Sequence, residues 1–362
     1  MKRPVQKNNL GERTEFVKRA IVRHVLEKGL KTGDKLPTQS ELRHKLQVGN
    51  ATIIRAIQSL ESEHVLEIRP KIGVFLKNSV ADGHKGWTIG IAAQEFAGHP
   101  FVGLLLLYIE RCLHEYGCQP LIFYGEETFQ RTDFELEWFP GLRRCASAHL
   151  IDGLITTLEF TGEGWDFLRE NRIPASFFGP VDVPCSTVFY DIPAFAKEAT
   201  EKMLMKGYRR PAMLSVCGIV RNYLFPVFTE MTGKLSGFDA EKYYFDGLTQ
   251  HETGKMIASR LLDMPPQERP DFIVSIDDNI TTGMVNALIE KQWNHVTYAP
   301  QIVALCTRQL PLILPWPDIE YLEIDIEVIA KKTVELCLKQ LKEPDTEKEA
   351  VLFKAQKRRD KI

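Results

Sequence analysis

The sequence predicts an α/β protein in two parts: an N-terminal winged helix-turn-helix, followed by a two-lobed domain of doubly wound parallel sheets. Residues 33–76 contain two short helical patterns and then two β-prone runs. From Trp87 onward, short apolar strands alternate with amphipathic helices, which is typical of parallel sheets covered by helices. The roughly 275 residues of this second part exceed what one core usually holds, so we expect two lobes.

The composition is that of a globular protein without a resident metal. The chain has 362 residues, 44% hydrophobic and 26% charged. Its first residues lack an apolar signal region, and no stretch approaches the roughly 18 apolar residues of a membrane span, so we expect a cytoplasmic protein without membrane contact. Seven scattered cysteines without a Cys-x-x-Cys pair predict neither a disulfide framework nor a zinc site. We therefore expect no metal and no cofactor.

The first part begins with two helices. Apolar residues at helical spacing predict a helix over 12–28 that ends at Gly29. Thr38 and Glu41 have the spacing of a capping box, so a second helix begins after Pro37 and runs to about Leu46.

A third helix and a β-hairpin complete the first part. Residues 48–50 supply a turn and an N-cap, and the helix that follows has apolar positions at Ile53, Ala56, Ile57 and Leu60. Its opposite face carries Thr52, Arg55 and Ser59. The β-prone runs 65–69 and 74–76 are joined by Pro70-Lys71-Ile72-Gly73, which predicts a hairpin beside the third helix.

These residues resemble the winged helix-turn-helix of the GntR family. The resemblance is carried by Gly33-Asp34, Leu36-Pro37, Arg55-Ala56, Arg69-Pro70 and Gly73-Val74-Phe75. It implies binding to double-stranded operator DNA through the start of the second helix, the third helix and the wing. The residues at these positions are Thr38, Gln39, Ser40, Gly49, Asn50, Ala51, Thr52, Arg55, Arg69 and Lys71.

Two departures from the family pattern predict an altered operator. Ser40 replaces a customary arginine, and Gly49-Asn50 replaces Ser/Thr-Arg at the start of the third helix. Asn50 suits adenine better than guanine, because its amide matches adenine N6 and N7. The alternative is a winged helix used for protein contacts. Charge favours DNA, since residues 1–86 carry 17 Lys and Arg against 9 Asp and Glu, while the remainder is net acidic.

The second part resembles the effector-binding core of the LacI/GalR family, a periplasmic-binding-protein-like type I fold. Its landmarks are Ile89-Gly90-Ile91, Ile151-Asp152-Gly153, Gly207-Tyr208 and Ile276-Asp277-Asp278. We predict domains at 1–78 and 87–362 with a linker at 79–86. The periodicity predicts strands over 88–93, 119–124, 153–156, 175–178, 211–216, 241–245, 272–276 and 301–305, and helices over 101–116, 164–170, 193–206, 223–232, 253–262, 280–291 and 326–341.

The LacI/GalR resemblance implies an effector site between the lobes, formed by Phe101, Phe189, Arg221, Asp277 and Thr307. Arg221 matches an arginine that bridges ligand hydroxyls, and the alternative is a surface arginine. Asp277 can accept hydrogen bonds from a ligand. The alternative is that Asp277, Asp278 or both cap the next helix, which we favour for Asp278. The two aromatic residues either line the cleft or belong to the core.

Two lost acids alter the expected effector. Thr307 and Gly179 stand where the family has acidic contacts, which predicts a smaller, less polar or acidic ligand instead of a typical sugar. Arg308 could bind an acid.

Together the patterns predict a non-enzymatic regulator that binds a two-fold operator as a homodimer and responds to a sugar or related metabolite. Repression rests on the family resemblance alone. One alternative is a sugar receptor with an N-terminal docking head. The other is an enzyme, against which stands the absence of a Gly-x-Ser-x-Gly elbow, a Walker loop, a Gly-x-Gly-x-x-Gly turn and a His-Glu-x-x-His helix.

Overall fold

The structure is a computed structural model that describes residues 9–62, 64–77, 86–94, 100–125, 133–292, 297–310 and 312–358. The predicted linker 79–86 lies outside the described residues except for Gly86.

The N-terminal part is a winged helix-turn-helix, as predicted, and we call it the head. Its elements are α1 (Asn9–Lys28), α2 (Gln39–Leu46), α3 (Asn50–Ser62), β1 (Leu66–Arg69) and β2 (Gly73–Leu76). The last two strands pair antiparallel, with Leu66 opposite Leu76.

Local chemistry fixes where the head's second helix begins. The backbone N–H of Glu41 donates to Thr38 Oγ1 (3.3 Å), and the backbone N–H of Thr38 donates to Glu41 Oε2 (2.7 Å), so the predicted capping box is present. The helix ends at Leu46, and its C-cap is Gln47, whose φ of 54° is left-handed. The apolar sides of α1 and α3 form a separate core with the inner residues of the wing.

The first lobe is a six-stranded parallel sheet in the order β4-β3-β5-β6-β7-β13. Helices α4 and α12 cover one face, while α5 and α6 belong to a second apolar cluster. The elements are β3 (Thr88–Gln94), α4 (Pro100–Glu115), β4 (Gln119–Gly125), α5 (Leu142–Ser147), β5 (Gly153–Thr156), α6 (Gly162–Glu170), β6 (Ala175–Phe178), β7 (Ser186–Tyr190), α12 (Ile326–Lys342) and β13 (Ala350–Phe353).

The second lobe is also built on six strands, in the order β9-β8-β10-β11-β12-β14, and only the pairing of β14 is antiparallel. The elements are α7 (Ile192–Met205), β8 (Pro211–Val216), α8 (Ile219–Thr232), α9 (Ala240–Tyr243), β9 (Tyr244–Gly247), α10 (His251–Asp263), β10 (Phe272–Ser275), α11 (Asp278–Lys291), β11 (Gln301–Thr307), β12 (Ile319–Ile324) and β14 (Gln356–Lys357).

The chain passes between the lobes three times, after β7, after β12 and after β13. The first two crossings are single aspartates that also cap the next helix. Asp191 Oδ1 accepts from the N–H of Ala194 (3.0 Å), and Asp325 Oδ1 accepts from the N–H of Glu327 (3.1 Å). Each crossing is therefore short and held at a helix start.

The head rests on the first lobe through α1. The guanidinium of Arg19 donates to the carbonyl oxygens of His149 (2.5 Å) and Leu150, and Arg23 pairs with Asp152. Asp152 also accepts from the backbone N–H of Thr88 (2.8 Å), at the start of β3. We call this set of contacts the α1 latch.

Candidate functional site

The head presents a continuous exposed surface formed by the start of α2, one side of α3 and the wing. Exposed side chains of α3 recur at helical spacing, at Asn50, Ala51 and Arg55, while Ile53 and Ala56 are buried beneath them. An exposed helix of this kind, beside a hairpin, is the geometry of a major-groove reader. All the residues predicted to contact DNA are exposed except Thr52.

The predicted position of Thr52 on the outward face is wrong. Its exposed fraction is 6%, and it belongs to the buried side of α3. The helical register explains this, because Thr52 adjoins Ile53 and lies four residues before Ala56 on the side that packs inward.

The wing has a rigid base and an exposed tip. The guanidinium of Arg69 donates to Glu67 Oε2 (2.8 Å) and lies 4.4 Å from the centroid of the Phe75 ring. At the tip Lys71 has a left-handed φ of 63°, and Ile72 is exposed. Arg69 is thus held close to the strands, while Lys71 is exposed at the tip.

The second candidate site is a cavity of about 680 Å³ between the lobes. It lies at the carboxyl ends of the strands, where doubly wound sheets bind their ligands. Most of its wall is apolar. Its polar lining residues are Tyr190, Cys217, Thr249, Gln250, Asp277, Asp278, Asn279, Thr282, Cys306, Thr307 and Gln309.

Asp277 lines the cavity, but both of its oxygens are already engaged. Oδ1 accepts from the backbone N–H of Ile280 (2.8 Å), and Oδ2 accepts from the Thr249 hydroxyl (2.6 Å). Asp277 is therefore the N-cap of α11, the role that the sequence analysis assigned to Asp278. Its extended backbone and the neighbouring loop at Thr249 select it for the cap.

Asp278 is the carboxylate with spare hydrogen-bonding capacity. Its Oδ2 accepts from the backbone N–H of Thr307 (3.3 Å), whereas Oδ1 is buried with no hydrogen-bond partner among the described residues. Burial, together with the charge of Asp277, raises the pKa of Asp278 to about 7. Sequence reasoning missed this residue, because the partner of its carboxylate comes from β11.

Aromatic rings from the first lobe form part of the opposite wall. Phe101 lines the cavity, and its ring centroid is 6.0 Å from that of Tyr190, which the sequence analysis did not name. Phe189 is buried and stacks on Tyr190 with 4.3 Å between ring centroids. Tyr190 lines the cavity, whereas Phe189 packs against the ring of Tyr190 and is not among the lining residues.

Arg221 is bound outside the residues that line the cavity. Its guanidinium donates to Asp246 Oδ2 (3.0 Å) and Glu241 Oε2 (2.8 Å) and lies 4.7 Å from the centroid of Phe225. Hydrogen bonds to these two acids raise the pKa of Arg221. Arg308 pairs with Asp325 (2.5 Å). Within the described part of the chain, no Lys, Arg or His lines the cavity.

Gly179, where an acid was expected from the resemblance, has no room for a side chain. An added Cβ would lie 2.0 Å from Cζ of Phe177. Thr307 does line the cavity, and its backbone fixes Asp278.

The described residues contain no cluster of His, Cys, Asp and Glu arranged to hold a metal ion. None of the helices in this part of the chain has the length and apolar character required to cross a membrane.

Residues 13–76 match the family described as bacterial regulatory proteins of the GntR family. The head is a GntR-family domain. No curated protein sequence is significantly similar to the chain. Solved structures of LacI-type regulators share the fold of the remainder. Their sequence identity with this chain is low, so the likeness concerns the fold alone.

Three such structures are a putative transcriptional regulator LacI from Bacillus cereus subsp. cytotoxis, the Escherichia coli transcriptional repressor ascG, and a LacI family regulator from Enterococcus faecium with bound ribose. The Bacillus protein is 19% identical with a TM-score of 0.63, covering 75% of this chain and 97% of its own. The Escherichia protein is 16% identical with a TM-score of 0.60, covering 76% and 99%. The Enterococcus protein is 16% identical with a TM-score of 0.58, covering 75% and 97%.

Proposed function

We propose that this protein is a cytoplasmic transcription regulator, a repressor, whose affinity for operator DNA is controlled by a small molecule bound between the lobes. One observation carries the proposal: a single chain joins a GntR-family head with an exposed α3 to a two-lobed body whose cavity is about 680 Å³. That volume suits a small metabolite. In this proposal the head is residues 1–78, the linker 79–86 and the sensor 87–362, and the protein binds its ligand without converting it.

The exposed surface of the head supports operator binding. Arg55 and Lys71 can neutralise phosphates, and the amide of Asn50 can read adenine in the major groove. Thr38, Gln39 and Ser40 lie at the amino end of α2, whose free N–H groups favour a phosphate. Gly49 and Ala51 allow close approach of the DNA backbone, and Arg69 supports the wing.

The cleft supports a neutral or cationic effector such as a sugar or a related metabolite. Phe101 can pack against a ring face, while Asp277 and Thr307 border the polar end. In this proposal Phe189 and Arg221 do not contact the ligand but support residues that do. Phe189 packs against Tyr190, and Arg221 binds Asp246, the neighbour of the lining residue Gly247. The bound ribose of the Enterococcus relative is compatible with this ligand class.

A homodimer fits both the operator symmetry and the surface of the first lobe. Leu107 on α4 and Leu121 and Tyr124 on the edge strand β4 are exposed apolar residues on neighbouring elements. A second copy covering this face would align two heads with two half-sites. Effector and DNA then alter each other's affinity by the same factor.

Fluorescence anisotropy of the full chain tests the proposal. The labelled duplex comes from selection on a randomised library, and its affinity is measured across a salt series and with ribose added. We expect affinity to fall steeply with salt, and the Arg55→Ala variant to reduce the salt slope by about 1 for a lost phosphate contact. Lys234→Ala, an exposed charge removal on the second lobe, is the control. Binding that does not depend on salt, or equal effects of the two variants, would contradict the proposal.

A further inference from the structure

The cavity between the lobes is acidic and has no basic wall. Asp277 and Asp278 are adjacent at its polar end, and the described lining residues include no Lys, Arg or His. An anionic ligand would meet two carboxyl groups with no compensating cation, which is costly in a partly buried site. The cavity therefore disfavours sugar phosphates and carboxylic acids.

The groups around Asp278 do not neutralise it. The titratable and charged groups facing it are Asp277, Tyr190, Cys306, Tyr321 and Arg358. The only cation among them is Arg358, which donates to Glu323 Oε1 (2.7 Å) and to the carbonyl of Leu312 (2.8 Å). Its charge is shared with another acid, so Asp278 keeps an unbalanced negative charge when ionised.

Aromatic rings adjoin this acidic end. Phe101 and Tyr190 line the cavity from the first lobe. Burial and the nearby charges of Asp277 and Asp278 raise the pKa of the Tyr190 hydroxyl. Aromatic faces attract cations, and the attraction is stronger when water is excluded. A carboxylate combined with aromatic walls and no cation is the chemistry of an ammonium site.

We propose that the effector carries a protonated amine, which lies beside Asp278 and against the rings of Phe101 and Tyr190. This inference rests on the proposed function, because it names the ligand class of the same cleft. The remaining wall includes Val216, Val220 and Leu305, so the body of the ligand presents apolar surface. An amine on a compact ring or chain satisfies both parts of the cavity.

A charge series on one ring tests the inference without knowledge of the natural effector. Cyclohexylammonium, cyclohexanol and cyclohexanecarboxylate have the same ring and differ in charge. Calorimetric titration of the full chain at pH 8 should give the ammonium probe at least about tenfold tighter binding than cyclohexanol, and the carboxylate the weakest.

The pH dependence adds a second readout. With the pKa of Asp278 at about 7, the ionised fraction falls from roughly nine-tenths at pH 8 to roughly one-tenth at pH 6. The amine stays protonated at both values. Binding of cyclohexylammonium should therefore weaken by about tenfold from pH 8 to pH 6, while binding of cyclohexanol should stay unchanged.

Variants locate the effect. Asp278→Asn should remove the preference for the ammonium probe and its pH dependence, whereas Asp263→Asn, an exposed acid on α10, should leave both unchanged. The series on the wild-type protein keeps the test decisive if the Asp278→Asn variant misfolds. Equal binding of the three probes, preference for the carboxylate, or no detectable binding of the ammonium probe at millimolar concentration overturns the inference. These titrations contain no DNA, so a failure of operator binding in the anisotropy assay would be seen separately.

Discussion

Arg23 ties the GntR head to the first lobe, and removing its charge tests whether the α1 latch contributes to stability. The side chain of Asp152 is only 7% exposed and that of Arg23 is 31% exposed, so the pair is partly shielded from water. In such a setting the attraction between charges about 4 Å apart is about 4 kcal/mol, reduced by the loss of hydration. We expect a net coupling of about 1–3 kcal/mol between the two residues.

The coupling can be measured because the two parts of the chain have different optical signals. All five tryptophans, at 87, 138, 165, 293 and 316, follow the head. Circular dichroism reports unfolding of head and body together, while tryptophan fluorescence reports the body alone. The Arg23→Ala variant should separate the two melting curves, because a small domain loses about 4–8 °C in Tm for each kcal/mol.

A double-mutant cycle with Asp152→Asn isolates the pair. Asparagine keeps an oxygen for the backbone N–H of Thr88, so it removes mainly the charge. Arg43→Ala, an exposed residue of α2, is the control for loss of an arginine in the same head. A coupling below about 0.5 kcal/mol, which is within the range of fully exposed ion pairs, or an equal shift in the control, would refute the reasoning.

Three further predictions concern the body. Gly254→Ala should destabilise the second lobe by about 1–3 kcal/mol or more in urea unfolding, because its Cβ would lie 2.2 Å from the carbonyl oxygen of Ile280, whereas Gly103→Ala, with open space around it, should not destabilise. Leu107→Asp should raise the dimer dissociation constant in sedimentation experiments, and Met205→Asp, at an exposed site on the other lobe, should not. Because the pKa of folded Asp278 is raised from 3.8 to about 7, the free energy of unfolding should fall as pH rises between these values. Asp278→Asn should flatten that fall, and an unchanged pH profile in this variant would contradict the assigned pKa.

Local patterns predicted the head and most of the sheets. The capping box at Thr38 and the turn before Asn50 involve neighbours within four residues, so the sequence contains the whole interaction. Strands β7, β12, β13 and β14 were not predicted, and the predicted strand 241–245 is helical up to Tyr243, so that β9 begins only at Tyr244. The residues of β12 are mostly half-buried, with polar and apolar residues mixed, so they lack the continuous apolar run of the central strands.

The site was harder to predict because its geometry depends on distant contacts. Asp277 caps α11 and is held there by the Thr249 hydroxyl. Asp278 is held by the backbone of Thr307 through one oxygen only, so its other oxygen stays free among the described residues. Arg221 lies in the expected segment, but acids from α9 and β9 hold it away from the cavity. Likewise, Thr52 is buried because of how α3 packs, whereas its polarity alone led to the prediction of an exposed side chain.

The last strands of the chain have a practical consequence for protein engineering. Residues 350–353 form an edge of one sheet and residues 356–357 an edge of the other. A truncation after Glu349 would strip both sheets at once and leave β7 and β12 with unpaired backbone groups, which invites aggregation. Purification tags and fluorescent fusions therefore belong at a site other than these two edge strands. In a deletion series from this end, the protein should lose solubility before the head unfolds.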